Sequence, residues 1–379
     1  MANHRFVISP NTSTMLDVIR VISAQLVVMG HIYLLYLSSA TELSFGSLIE
    51  FAGSLSNEAV IAFFVMSGYL VGGRIVSDIR LSKFNMLRYS TDRLTRLWVV
   101  LLPALLVTGG LDYISMNWLS GEQIFALRQP FYPSWYLATE PWSAPTFISN
   151  TFFMQTLWKF QFGTNLSLWS IAHEFWYYAI FPCMVGIMYF RRIAKLMALA
   201  VVLGIVLMIA TSNSALVFAY CFPVWLAGAA ASLLQGRLKI AFAVICGAIP
   251  SVVLMFSDAR IPDGIQRNIV IGMLVIGLIL LSDYVRLGWA KKTAHFVSKY
   301  SYSLYAIHLP FLFLLLSIGS VSQVKQSLSA HGISMFIAYM LIINIFGYLF
   351  WYATERHTHK VRDVFRRVVR VKPSAQGAT

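Results

Sequence analysis

Three ionisable side chains, Asp17, Arg20 and His31, stand in a stretch (16–37) otherwise apolar enough to cross a membrane. On a helix the eleven steps from Arg20 to His31 bring both side chains to within about 20° of one face, about 16 Å apart along the axis, and Asp17 shares that face. Burying such charges in hydrocarbon is expensive, so they mark either a functional site or a buried pair. An imidazole is suited to act as a general base, and a guanidinium to hold a phosphate or a developing oxyanion. The plainer reading is a neutralising i,i+3 pair between Asp17 and Arg20, with His31 as an interface histidine.

Glu174 lies in L-W-S-I-A-H-E-F-W-Y-Y-A-I-F-P. Counted from the start of the run at 166, it falls about 12 Å below the outer end, a depth comparable to that of His31, so its carboxylate orients the imidazole if the two helices pack together; the plainer reading pairs it with another buried cation. His173 points about 100° away on the same helix and competes as its partner. In S-Y-S-L-Y-A-I-H-L-P, Tyr302, Tyr305 and His308 follow i, i+3, i+6 spacing, and Pro310 frees a carbonyl. His308 serves either as a site residue or as a hydrogen-bonded core histidine. Arg74, Arg88, Arg93 and Arg96 cluster ahead of the third apolar run, where their forks suit the phosphates of an anionic cofactor or lipid headgroups. No phosphate-binding G-x-x-x-x-G-K-[ST] loop, G-x-S-x-G elbow or H-E-x-x-H pair occurs, and no metal site is expected.

The elements that must position these residues are membrane helices. With 58% hydrophobic and 12% charged residues, the chain carries about half the charge of a soluble domain. About ten apolar runs are long enough to span hydrocarbon: 16–37, 59–73, 97–111, 166–190, 196–210, 215–234, 240–256, 268–282, 300–318 and 333–352. The fold class expected is therefore all-α, a polytopic transmembrane bundle of about ten helices. Of 29 Lys and Arg residues, 23 fall on one face and five on the other, with Arg20 inside the first run, which places both termini in the cytoplasm. The net charge of +14 thus belongs to a membrane face and not to a nucleic-acid groove. The first run is too long and too charged for a cleavable signal. Cys183, Cys221 and Cys246 fall in apolar stretches and read as packing residues. The loop 112–165 carries Trp118, Trp135, Trp142 and Trp158 with Pro130, Pro133, Pro141 and Pro145, which suits an interfacial aromatic belt or a sugar-stacking surface. Residues 1–355 form one membrane domain, and the basic tail 356–379 lies near anionic lipid.

In these residues the chain resembles the acyltransferase 3 family of integral-membrane acyltransferases. The pattern D-x-x-R followed by G-H is met by Asp17, Arg20, Gly30 and His31. F-F-V-x-S-G-[FY]-L is met by residues 63–70, W-S-[LI]-x-x-E by Trp169, Ser170 and Glu174 with Tyr178 and Pro182 beyond, and the S-Y-S-L-Y motif by residues 301–310. Departures include Val18, Val21, Phe175 and Val99, and Glu355, Arg356, His357 where E-R-P is usual. The resemblance implies transfer of an acyl group, commonly acetyl, from acetyl-CoA on the cytoplasmic side to a hydroxyl of an extracytoplasmic or lipid-linked carbohydrate, in a bacterial-type cytoplasmic membrane. His31 would be general base or transient acyl carrier, with Glu174 supporting it. Arg20 would stabilise the thioester oxyanion or a phosphate, and Arg93, Arg96, Arg74, His308 and Tyr305 would serve the donor. Asp17, Ser170 and Tyr302 would hold the framework. The rival is a proton-coupled transporter or flippase using the same buried groups without covalent chemistry.

Overall fold

A computed structural model describes residues 6–37, 51–119, 141–212, 215–256, 265–318 and 329–369, and among these the chain is helical with no strand. Eight helices are long and apolar enough to cross a membrane, which makes this a multi-pass membrane protein. Each of the ten apolar runs lies on a helix.

Helix α1, Pro10–Tyr36, starts six residues ahead of its apolar run because Ser9 caps it, accepting the Thr12 amide at 3.1 Å, with Pro10 at the first helical position. Helix α2, Ser56–Ser67, passes through a π-helical turn, Gly68–Gly72, into α3, Gly73–Arg80. The cause lies in α8, Ala215–Ala231: a Cβ on Gly68 would lie 1.9 Å from the Trp225 carbonyl oxygen, and one on Gly228 2.2 Å from that of Val65. The two backbones touch, as only small residues permit.

Helix α4, Met86–Trp118, also begins earlier than hydropathy suggests, because Asn85 caps the Arg88 amide at 2.9 Å. Arg88, Arg93 and Arg96 therefore stand on the helix itself and not in the preceding connection, a correction with consequences for the site. After α4 come α5, Ala144–Thr151, and a return loop pinned by Asp112, which accepts the Trp142 indole at 2.7 Å and the Thr164 amide and hydroxyl at 2.8 and 2.6 Å. Trp142 is thus a structural anchor, whereas Trp118 and Trp158 are exposed as an interfacial belt requires. Pro130, Pro133 and Trp135 lie outside the described residues, as do Arg5, Arg128, Arg260, Lys325 and Lys372.

The remaining elements are α6 (Leu168–Tyr189), α7 (Arg192–Ala210), α9 (Gly236–Phe256), α10 (Ile265–Leu281), α11 (Lys291–Ser298), α12 (Ser301–Ile318), α13 (Ala330–Ala353) and α14 (Thr358–Val368). Helix α6, rich in Trp, Tyr and ionisable residues, and the 17-residue α8 are not among the eight apolar spans. Both nonetheless sit in the core with α2 and α12, while α7 and α9 turn apolar side chains such as Leu203, Leu207, Val244 and Ile249 outward, toward lipid. The tail helix α14 is tied to the start of α4 by a two-pronged Arg366–Asp92 contact at 2.8 and 2.6 Å.

The contact of α2 with α8 predicts a contrast between two glycines. Gly68→Ala forces backbone apart and should cost about 1–3 kcal/mol, lowering the melting temperature in detergent, whereas Gly204→Ala, with nothing near its Cβ, should leave it unchanged.

Candidate functional site

Polar residues of α1 meet partners at three levels. Arg20 pairs with Asp17 at 3.1 Å, and the other Asp17 oxygen meets His295 of α11 at 3.2 Å. One level up, the Gln25 and Asn344 amides bond reciprocally at 2.7 and 3.0 Å. At the top, His31 Nδ1 lies 3.2 Å from His308 Nε2 on α12. Fourteen residues separate Asp17 from His31 and thirteen separate His295 from His308, so both chains climb about 20 Å between the two contacts.

The protons of the histidine pair follow from their neighbours. His308 Nδ1 faces the Tyr305 carbonyl at 2.8 Å, so it carries hydrogen and leaves Nε2 as an acceptor. His31 Nδ1 faces both that acceptor and the Val27 carbonyl at 2.9 Å, so it too carries hydrogen. The lone pair of His31 Nε2 remains, without a partner among the described residues, on a partly exposed side chain. His308, expected beside the donor, is fully buried with both nitrogens engaged, so it touches no substrate and instead orients His31.

Glu174 does not reach His31. Its carboxylate accepts from Ser67 Oγ at 2.8 Å and from the Tyr178 hydroxyl, and the Trp225 indole donates to the same Ser67 oxygen at 3.1 Å. The close approach of Gly30 to Ser56 sets the His31 level beside the start of α2, and Ser67 lies eleven residues below Ser56 just as Arg20 lies eleven below His31. Glu174 is therefore level with Arg20, about 16 Å from His31. The depth estimate fails because α6 does not start at the membrane surface: the turn at 164–167 is itself buried, with Asn165 donating to Thr108 Oγ1 at 3.1 Å and to the Ala306 carbonyl at 2.8 Å. His173 does not pair with Glu174 either, and its Nδ1 meets the Trp169 carbonyl at 2.8 Å.

Around Glu174 gathers a second polar cluster. Arg20 and Arg96 interact electrostatically with each other and with Glu174 and Glu355, and Glu355 accepts from Ser303 Oγ at 2.7 Å. Arg96 is exposed to solvent and has no ion-pair partner among the described residues. Arg93 lies over the Tyr89 and Tyr178 rings at 5.9 and 5.6 Å, with its Nε unbonded. The buried Tyr302 hydroxyl lacks a partner and feels Glu174, Arg96 and Glu355. Guanidinium groups with unused donors fit an anionic ligand. Arg74 does not share this setting: it is 67% exposed and leans on Asp78 at 3.6 Å. Tyr305 is buried, its hydroxyl 2.6 Å from Ser170 Oγ, and so joins α12 to α6 instead of facing a ligand.

Ser67 and Glu355 were not among the expected site residues. Glu355 was legible as an acidic residue closing an apolar run, but Ser67 resembles any small residue on a membrane helix, and only its three partners reveal it.

A family model described as "Acyltransferase domain" matches residues 14–354. An uncharacterized protein of Haemophilus influenzae is 28% identical over 160 residues, which is 40% of this chain and 60% of that relative's length. No solved structure matches significantly.

The different surroundings of the histidines predict their reactivity. Diethyl pyrocarbonate should modify His31 in folded protein and spare His308 and His173 until denaturation, as read by peptide mass spectrometry. Equal labelling of His31 and His308 would contradict the assigned pair.

Proposed function

The chain belongs to the acyltransferase family whose model spans residues 14–354, and we propose that it is a membrane O-acyltransferase using acyl-CoA, foremost acetyl-CoA, as donor and a carbohydrate or glycolipid hydroxyl as acceptor. The observation that carries this reading is the His31 imidazole, fixed in one tautomer by His308 and Val27 with its Nε2 lone pair unused. Such a nitrogen is poised to take a proton from a hydroxyl.

Under this reading Arg93 and Arg96 receive the donor's phosphates from the basic, cytoplasmic face. The level of Arg20, Glu174 and Tyr302 then lines the phosphopantetheine arm, whose extended length matches the rise from Arg20 to His31. Glu174, offered two hydroxyls and facing two arginines, serves to position that arm and not to raise the basicity of His31. This separation also assigns Arg20 to the donor's anionic or amide groups, since it is too far from His31 to meet an oxyanion formed there. The acceptor oxygen attacks the thioester carbonyl as its proton passes to His31 Nε2. Collapse of the tetrahedral species breaks the C–S bond, and the imidazolium returns the proton to the departing thiolate. The enzyme sits in a bacterial-type cytoplasmic membrane with both termini inside.

Purified protein incubated with radiolabelled acetyl-CoA and a panel of glycans should yield labelled glycan, and His31→Ala should lower that transfer by about 10²- to 10⁴-fold. Uptake of glycan into vesicles without label transfer would instead mark a transporter. Arg96→Gln should raise the KM for acetyl-CoA about 10- to 100-fold with a smaller change in kcat, as for loss of a charged hydrogen bond that binds without acting in the chemical step.

A further inference from the structure

The helix that follows the last membrane span is packed inside out. On α14, Val361, Val364, Phe365 and Val368 follow i, i+3, i+4, i+7 spacing and fall within about 100° of one another around the axis, the kind of stripe by which a helix in water is buried. Yet it is the polar row of Thr358, Arg362 and Arg366 that is shielded, and Arg366 makes the two-pronged contact with Asp92 of α4. The apolar stripe faces away from the protein. Only Val361 is half-buried, whereas Val364 is 56% and Val368 75% exposed, with Phe365 exposed between them.

Position and charge identify what covers this stripe. Helix α13 turns Ile337, Leu341, Ile345 and Leu349 outward at four-residue spacing, toward lipid, and ends at Ala353, just ahead of α14. At the junction Arg356 lies over the exposed Tyr352 ring at 4.4 Å, a pairing suited to the headgroup level. The same end of the bundle carries Arg80 ahead of α4 and Lys291, Lys292 and Lys299 ahead of α12. On α14 itself Lys360 and Arg367 border the stripe on the side away from α4, and Arg362 and Arg366 border it on the other, against the single acid Asp363. A soluble polyanion would meet these charges and leave the stripe in water, and a neutral apolar partner would leave the basic borders unused. A bilayer surface with anionic headgroups accepts both, its acyl chains taking the valines and the phenylalanine and its phosphates the basic side chains.

We propose that α14 is an interfacial helix that binds anionic lipid: Val364, Phe365 and Val368 enter the acyl region, Lys360 and Arg367 hold headgroup phosphates, and the Arg366–Asp92 contact fixes the rotation that turns the stripe to the bilayer. The test is spin labelling of the full chain in vesicles of phosphatidylcholine, alone or mixed with phosphatidylglycerol. Val364→Cys, Val368→Cys, His359→Cys and Asp363→Cys are labelled one at a time, with the unsubstituted protein, whose cysteines are buried, as the blank. In the mixed vesicles the labels at 364 and 368 should be reached severalfold better by oxygen, which concentrates in hydrocarbon, than by a water-soluble nickel chelate, and the labels at 359 and 363 should show the reverse. The contrast should shrink in phosphatidylcholine alone. Lys360→Gln combined with Arg367→Gln should give the mixed vesicles the phosphatidylcholine pattern, each basic residue being worth about fivefold in affinity for an anionic surface. All four positions are exposed, and 364 and 368 report independently, so one variant that fails to fold leaves the other to decide. Access of the nickel chelate to all four sites alike places the helix in water and overturns the proposal. Exclusion of both reagents from 364 and 368 means that protein covers the stripe, a second copy or a partner, and overturns it too. A contrast that ignores lipid charge and survives the double substitution overturns the recognition of anionic lipid.

Discussion

A polar group carried through hydrocarbon must find its partner within the protein, and this requirement fixes how α1 sits in the bundle. Asp17, Gln25 and His31 meet His295, Asn344 and His308, partners from α11, α13 and α12. The three contacts lie at different heights and reach three different helices, so a rotation or one-turn slide of α1 would break them together. The apolar residues between them, such as Val28 and Ile32, pack but would tolerate such shifts, as neighbouring side chains differ little from lipid. The polar ladder therefore supplies register, and the His31 imidazole inherits its position from it.

The same requirement explains two prolines inside helices. Proline lacks the N–H that would bond the carbonyl four residues earlier. Pro182 frees the Tyr178 carbonyl, which the Tyr89 hydroxyl of α4 takes at 3.0 Å, and Pro310 frees that of Ala306, which Asn165 takes. In each case a vacancy in one helix becomes a tie to another chain segment. The second tie also accounts for non-helical backbone at depth: the turn before α6 is tolerated because Asn165, Ser167 and Thr164 bond to carbonyls and side chains, not to lipid.

The helical fold was legible because apolar runs of membrane length have few other outcomes. His31 and Arg20 were legible for a related reason, since an ionisable residue in such a run demands an explanation. Which residues face each other was not legible. Depth counted along a helix presumes that the helix starts at the surface, and α6 starts inside the protein. Helix ends read from hydropathy miss charged turns, and so Arg93 and Arg96 looked like loop residues although the Asn85 cap brings them onto α4. Ser67 and the pair of Glu58 with Arg267 depend on contacts between distant segments, for which a single sequence holds no signal.

The two polar levels differ in kind, and the difference bears on chemistry. The lower one holds two carboxylates and two guanidiniums, suited to binding charge. The upper one pairs two imidazoles, and among the described residues no carboxylate bonds to either ring. A carboxylate beside His31 would stabilise the imidazolium and retain the proton. A neutral His308 fixes the ring through its lone pair but adds no opposing charge. A neutral partner of this kind fixes which nitrogen carries hydrogen and where the other one points, which is what a ring available for proton transfer requires. The distance between Glu174 and His31 thus keeps the carboxylates and guanidiniums of the lower level apart from the imidazole pair.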